Sequence, residues 1–108
     1  MSFEVKTADT FERPAKRLKK KYPSFKSDLD QLITSLETEP EQGVLLSLGF
    51  RKIRMAISSK GKGKSSGARV ITLVKVTETT VTLVTVYDKS DRAALTDAEL
   101  RELREGLG

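Results

Sequence analysis

The sequence predicts a small α+β domain, with two N-terminal helices and a short C-terminal helix packed on a mainly antiparallel sheet in the order β-α-α-β-β-β-α. Apolar residues recur at helical spacing in the first third of the chain and alternate with period two through the middle. A capping box then opens a last helix. At 108 residues, the chain can bury one hydrophobic core. We therefore expect residues 1–108 to form a single domain.

The N-terminal third is predicted to form one short strand and two amphipathic helices. Phe3–Lys6 alternates like a strand. We expect Thr10 to cap the first helix and Ser24 to cap the second, because each precedes an apolar stripe of helical period. These stripes consist of Phe11, Ala15, Leu18 and Tyr22, and of Phe25, Leu29, Leu32, Ile33 and Leu36. The two helices should pair as a hairpin with facing stripes.

The middle of the chain is predicted to form three consecutive strands. Phe50–Ser58 and Ala68–Val76 are separated by the polar loop Ser59–Gly67, and a short turn leads to the third strand. Consecutive strands with short connections pair most simply as an antiparallel meander. Thr96 and Glu99 then have the spacing of a capping box, so a final short helix should close the fold.

The composition excludes several kinds of chemistry. The chain has no cysteine and no histidine, so it cannot form disulfides, use a thiol nucleophile or use the most common base at neutral pH. The acidic residues do not have the spacing of a metal site. We therefore expect no metal and no small-molecule cofactor. No apolar run is long enough to span a bilayer, and the lack of cysteine fits a reducing compartment, so the expected location is the cytoplasm without membrane association.

Positive charge is concentrated in the middle of the chain. The net charge is only +5, yet no acidic residue lies between Gln42 and Thr77. A field of one sign on strands and loop attracts polyanions, most commonly nucleic acids. The expected RNA-binding residues are Arg51, Lys60, Lys62 and Lys64, with Lys16, Lys19 and Lys20 on the first helix. A solvated basic surface without a specific partner is the alternative, and charge alone does not decide between the two.

A set of cations and one phenol could carry out phosphate chemistry. Lys52 and Arg54 are two apart on one strand, so they share a face. Arg69 opens the next strand, while Tyr87 and Lys89 close the third, and antiparallel pairing should bring these ends together. Fixed cations stabilise the charge of a phosphorane, and a lysine or tyrosine with a lowered pKa can act as a base. The alternative is that the cations only bind phosphate and that Tyr87 is a half-buried aromatic.

The same residues carry a resemblance to a known family. The segments Leu48–Arg54, Ser66–Ile71 and Leu83–Ser90, in this order, resemble the RelE/ParE toxin superfamily, and within it the RelE/HigB branch of type II toxin–antitoxin systems. The resemblance covers nearly the whole chain. It implies the fold described above and a ribosome-dependent endoribonuclease that inhibits translation by cutting mRNA in the decoding site. It also implies a metal-independent attack by the ribose 2′-hydroxyl that leaves a 2′,3′-cyclic phosphate, and a cognate antitoxin as partner.

The resemblance implies roles for individual residues. Lys52 and Arg54 match two strand cations of the family, Arg69 matches an arginine that follows a Ser-Gly-aromatic motif, and Lys89 matches a basic residue after the last strand. We expect Lys52 or Tyr87 to be the base. Arg54 and Arg69 should hold the scissile phosphate. Lys89 should protonate the leaving oxygen or bind phosphate, and the lysines of the loop and first helix should contact ribosomal RNA.

The chain departs from the family pattern at two places. Arg92–Leu95 supplies no aromatic or histidine in the C-terminal segment, and Ala68 stands where many relatives have an aromatic residue. The individual roles are therefore less well supported than the function. Two alternative functions also stay open. One is a ParE-like toxin that inhibits DNA gyrase, and the other is a non-catalytic RNA-binding domain.

Overall fold

The computed structural model describes residues 2–107 and has the predicted α+β architecture. Its helices and strands are β1 (Glu4–Thr7), α1 (Asp9–Lys21), α2 (Phe25–Thr38), β2 (Val44–Leu45), β3 (Phe50–Met55), β4 (Ala68–Lys75), β5 (Thr80–Asp88) and α3 (Asp97–Gly106). The fold class and the mainly antiparallel sheet are confirmed, whereas the two-residue strand β2 was not predicted. Among the described residues, no helix is both long and apolar enough to cross a membrane.

The five strands form one sheet in the order β1-β5-β4-β3-β2. The pairs β3–β4 and β4–β5 are antiparallel, as predicted for the meander. The strand β2 also pairs with β3 in antiparallel orientation, and β1 joins β5 in parallel. The register between β4 and β5 shifts at Ile71 and Thr72. Because β4 and β5 are inner strands that pair with long neighbours, they are buried along most of their length and provide a rigid base for the side chains they carry.

Each face of the sheet supports its own hydrophobic cluster. One cluster joins α1 and α2 to the sheet through residues such as Phe25, Leu36 and Val70. The other cluster lies on the opposite face, where Leu100 of α3 packs with Phe50 and other sheet residues. The predicted capping box at the start of α3 is confirmed, since Thr96 and Glu99 exchange side-chain-to-backbone hydrogen bonds at 2.9 and 3.1 Å.

The predicted N-caps of the first two helices differ from the structure. Thr10 lies inside α1, and its hydroxyl donates to the carbonyl oxygen of Val84. Ser24 does occupy the N-cap position of α2, but its hydroxyl donates to the Asp28 carboxylate. Neither hydroxyl therefore accepts a hydrogen bond from a backbone N–H of its helix, as an N-cap would.

The first long strand also ends earlier than predicted. β3 stops at Met55, because Ser58 leaves the sheet: its backbone N–H and its hydroxyl both donate to the Asp28 carboxylate on α2. Burial by itself would raise the pKa of Asp28, but the hydrogen bonds from Ser58 and Ser24 together outweigh it and lower the pKa. The loop that follows is therefore anchored on α2.

Candidate active site

Arg54, Arg69 and Tyr87 form one row across three neighbouring strands. The register places Arg54 of β3 opposite Arg69 of β4, and Arg69 opposite Tyr87 of β5. Directly opposed residues in antiparallel strands project from the same face, and Lys52 lies two residues before Arg54 on that face. We call these four residues the cationic row. The structure thus brings together four of the five residues predicted to carry chemistry.

A cavity of about 250 Å³ adjoins the cationic row. Lys52 and Tyr87 both line it, and its walls include Ile71 of the sheet and Leu100 of α3. Leu95, from the segment before α3, lies on the same cavity. The row is therefore partly enclosed by α3 and the segment that precedes it, while the Arg54 end is exposed.

Arg69 is a buried cation held only by neutral groups. It is 3% exposed, and its guanidinium donates to the carbonyl oxygens of Lys64 at 2.9 Å, Ser65 at 3.0 Å and Ala68 at 3.3 Å. Between residues 2 and 107 it forms no salt bridge. Since a buried charge is costly unless it is paired, the surroundings of Arg69 suit an anion supplied by a ligand.

Tyr87 is buried with an unpaired hydroxyl. The residue is 8% exposed, and its hydroxyl has no hydrogen-bond partner among the described residues. Burial raises the pKa of Tyr87, and the positive charges of Arg69 and Arg92 only partly oppose this. The neighbouring cations do lower this pKa, as expected, but burial outweighs them, so the net shift is upward. A phenol with a raised pKa stays protonated at neutral pH, so it can donate a hydrogen bond to an anion more readily than it can act as a base.

Arg92 is a site residue that the sequence reasoning missed. Its guanidinium lies 5.8 Å from the centroid of the Tyr87 ring and binds both carboxylate oxygens of Glu99. The pKa of Glu99 is lowered to about 2, and the largest cause of this shift is the pair of hydrogen bonds from Arg92. Arg92 also donates to the carbonyl oxygen of Ala94, so it holds the segment before α3 against Tyr87. The capping-box glutamate was the only sequence signal for this pair.

The remaining predicted residues are dispersed. Lys89 follows β5, and its backbone N–H donates to the carbonyl oxygen of Gly67 at 3.0 Å, which places it near Arg69 and Tyr87. Arg51 adjoins Lys52 on β3, and its guanidinium contacts Glu41. The exposed side chains are those of Lys62 and Lys64 on the loop and of Lys16, Lys19 and Lys20 on α1. Since α1 packs on the sheet face away from α3, the helix lysines do not adjoin the cationic row.

Lys60 is a correction to the predicted RNA-binding set. Its ammonium donates to the carbonyl oxygen of Ser66 at 2.7 Å, to the hydroxyl of Ser90 at 2.8 Å and to the carboxylate of Asp88 at 3.0 Å. An ammonium has three donor hydrogens, and these three contacts use all of them. With its side chain 12% exposed, Lys60 is part of the interior and has no donor left for an RNA phosphate.

Comparison with known proteins identifies the family. The family model described as the RelE toxin of the RelE/RelB toxin–antitoxin system matches residues 7–106. The chain belongs to the RelE toxin family. Two solved RelE structures are similar in fold. One is a RelBE toxin–antitoxin complex from Mycobacterium tuberculosis, with a TM-score of 0.61 and 18% identity over 82% of this chain and 99% of that one.

The other similar structure is a double mutant of Escherichia coli RelE in the free state, with a TM-score of 0.62 and 17% identity over 94% of this chain and 98% of that one. A search of curated protein sequences found no significant match. At these identities the two structures support the RelE fold, while the family match covers nearly the whole chain. The chain is therefore a RelE-type toxin of a toxin–antitoxin system.

In this RelE-family chain the groups available for chemistry are cations and a phenol. Within the described residues, no three acidic side chains are grouped so that they could hold a metal ion. The cationic row instead offers two guanidinium groups, one ammonium and one protonated phenol. Such a set can bind a phosphodiester, neutralise charge that develops on its oxygens and transfer protons.

Proposed function

We propose that this RelE-family toxin is a ribosome-dependent endoribonuclease that cleaves mRNA by attack of a ribose 2′-hydroxyl on the adjacent phosphate. The observation that carries the proposal is the buried guanidinium of Arg69, which has only carbonyl partners and lies opposite the unpaired hydroxyl of Tyr87. A phosphodiester would supply both the missing negative charge and the missing acceptor. Lys52 and Arg54 flank this site, and cations in such a position suit the phosphate backbone of a nucleic acid.

The proposed reaction uses each group of the cationic row once. Lys52, once its ammonium has released a proton to solvent, accepts the proton of the 2′-hydroxyl, whose oxygen forms a bond to phosphorus. Arg54 and Arg69 bind the non-bridging oxygens and stabilise the charge that accumulates on them. Tyr87, protonated because of its raised pKa, donates a hydrogen bond to the same phosphate. The bond to the 5′-oxygen then breaks, that oxygen takes a proton from Lys89, and the products are a 2′,3′-cyclic phosphate and a 5′-hydroxyl.

The proposed partners follow from the same charges. The exposed loop lysines Lys62 and Lys64, together with Lys16, Lys19 and Lys20 of α1, would contact ribosomal RNA in the cytoplasm. A cognate antitoxin with an acidic or amphipathic segment would cover a cationic surface of the toxin, in keeping with the toxin–antitoxin complex among the similar structures. Its affinity should fall as salt rises if charge pairing contributes to binding.

The test is the chemistry of the cut ends on programmed ribosomes. Purified toxin, treated with a chelator and returned to magnesium-containing ribosome buffer, should leave a 2′,3′-cyclic phosphate and a 5′-hydroxyl on the mRNA. The matched control is Arg69→Ala, which should bind the same ribosomes without cleaving. A 3′-hydroxyl with a 5′-phosphate would contradict the proposed attack. Inhibition of DNA gyrase by a folded toxin that leaves mRNA intact would instead favour the ParE-like function, and RNA binding without either activity would favour the non-catalytic domain.

A further inference from the structure

A second polar network lies on the sheet face opposite the cationic row. Asp88 follows Tyr87 on β5, so the two side chains project to opposite faces. The Asp88 side chain is 0% exposed and pairs with the Lys60 ammonium at 3.0 Å. Its second oxygen accepts a hydrogen bond from the Tyr22 hydroxyl, and the backbone N–H of Ser90 donates to the first at 2.9 Å. None of these groups takes part in the proposed reaction.

This network reaches Arg69 through one turn of the loop. The Lys60 ammonium also donates to the carbonyl oxygen of Ser66 at 2.7 Å, the last residue of the turn Lys64–Ser66. The carbonyl oxygens of the two preceding residues, Lys64 and Ser65, are the ones that accept from the Arg69 guanidinium. The ammonium on one face of the sheet therefore holds the segment that orients the guanidinium on the other.

Close packing and the hydrogen bond from Lys60 to Ser66 together restrict the turn Lys64–Ser66 to one position. Gly67 follows it directly, and a Cβ at that position would lie 2.2 Å from the carbonyl oxygen of Met55. The Gly67 carbonyl oxygen in turn accepts from the backbone N–H of Lys89 at 3.0 Å. The other side of the turn is exposed, since Lys62–Ser65 faces solvent. Without the contact at Ser66, the exposed part of the loop would be free to move and to gain conformational entropy.

We propose that the Lys60 ammonium, held in place by Asp88, is a positioning device for Arg69: through its hydrogen bond to Ser66 it fixes the turn Lys64–Ser66, whose carbonyl oxygens aim the guanidinium along the cationic row. Lys60 and Asp88 are positioning residues and do not touch the substrate. The catalytic consequence rests on the proposed function, whereas the effect on Arg69 itself does not depend on it.

The experiment compares variants that remove or keep the anchor. Lys60→Met removes the ammonium at similar size. Lys60→Met with Asp88→Asn removes both charges, so no unpaired buried charge remains if the single variant fails to fold. Asp88→Asn alone should keep the geometry, because its amide oxygen can accept from Lys60 and its NH₂ group can donate to the Tyr22 hydroxyl. Lys26→Met, which removes an exposed lysine paired with Asp30 on α2, is the matched control.

Two readouts separate positioning from activity. The first is hydrogen exchange of the Arg69 guanidinium N–H groups, followed by NMR in the free toxin. These hydrogens should exchange slowly in the wild type and in the variants Lys26→Met and Asp88→Asn, and fast in both proteins that carry Lys60→Met.

The second readout is single-turnover cleavage at saturating ribosomes. Its rate should fall about tenfold to a hundredfold with Lys60→Met, because small displacements of a catalytic group are costly. Ribosome affinity should change by less than about twofold, because Lys60 has no free donor for RNA.

The outcomes are distinct. If the Arg69 hydrogens stay protected in folded protein that carries Lys60→Met, the positioning proposal is wrong, whatever happens to cleavage. If protection is lost while the cleavage rate is unchanged, Lys60 does position Arg69, and the expected catalytic consequence of that positioning is wrong. If the wild type cleaves no mRNA but the exchange pattern is as expected, the Lys60 ammonium does position Arg69 and the proposed nuclease function is what fails.

Discussion

Asp88→Asn should remove a large part of the acid sensitivity of this protein. Burial alone would raise the pKa of Asp88, but hydrogen bonds from Tyr22, Ser90 and Lys60 outweigh it and lower the pKa from 3.8 to about 2. A difference of that size corresponds to about 2 kcal/mol of stability, at roughly 1.4 kcal/mol per tenfold change in proton affinity. That is a substantial fraction of the roughly 5–15 kcal/mol by which domains of this kind are stable.

The sign of the effect follows from the direction of the shift. Because the folded-state pKa lies below the unfolded one, the stabilisation is present above about pH 4 and is lost as the pH falls towards 2. Asp88→Asn should therefore be less stable than the wild type by about 2 kcal/mol at neutral pH. The two proteins should converge as the pH falls below about 2, since the wild-type carboxylate is half protonated at its folded-state pKa and fully protonated only below it.

Denaturant unfolding at a series of pH values measures this difference. Asp28 and Glu99 also have lowered pKa values, but they contribute equally to both proteins and cancel when the two free energies are subtracted. The denaturant dependence of the free energy should be the same for both proteins, so that midpoints can be compared. A stability difference that stays constant from neutral pH to pH 2 would refute the reasoning, because it would mean that the Asp88 carboxylate titrates normally in the folded state.

Three further predictions concern the cationic row and the loop. Arg69→Ala should reduce cleavage by about a hundredfold to a thousandfold, as for a lost transition-state donor, with little change in ribosome affinity; an equal loss of both would assign Arg69 to binding alone. Tyr87→Phe should lower cleavage but raise the free energy of unfolding by up to about 1 kcal/mol, since it removes a buried unpaired hydroxyl; a destabilised variant would reveal a partner for that hydroxyl. The double variant Lys62→Ala with Lys64→Ala should weaken ribosome binding. The slope of log affinity against log salt concentration should decrease by about the amount that one phosphate contact per lysine contributes. An unchanged salt slope would exclude these lysines from the RNA contact.

Local patterns were sufficient to predict most of the fold. Period-two alternation predicted β3, β4 and β5, helical spacing predicted α1 and α2, and the capping box at Thr96 predicted the start of α3. The errors occurred where a distant group competed with the local pattern. Thr10 donates to Val84 across the fold instead of capping α1, and Asp28 draws Ser58 out of the sheet. A sequence pattern records a residue's neighbours along the chain, and neither competing acceptor is among them.

The cationic row was predictable because its geometry follows from strand order. Once three consecutive strands pair as a meander, Arg54, Arg69 and Tyr87 must lie close together. The sequence by itself thus determined the fold class, the place in the sheet where the cationic row forms and the chemical groups in that row.

Only the tertiary structure decided which of those groups are free and how they are protonated. The sequence treats Lys60 like Lys62, although one is enclosed by three acceptors and the other faces solvent. It also suggested a lowered pKa for Tyr87, whereas burial raises it. The burial of an ionisable side chain and its hydrogen-bond partners both depend on which helices, strands and loops pack around it. These are properties of contacts between distant segments, so they appear only when the chain is folded.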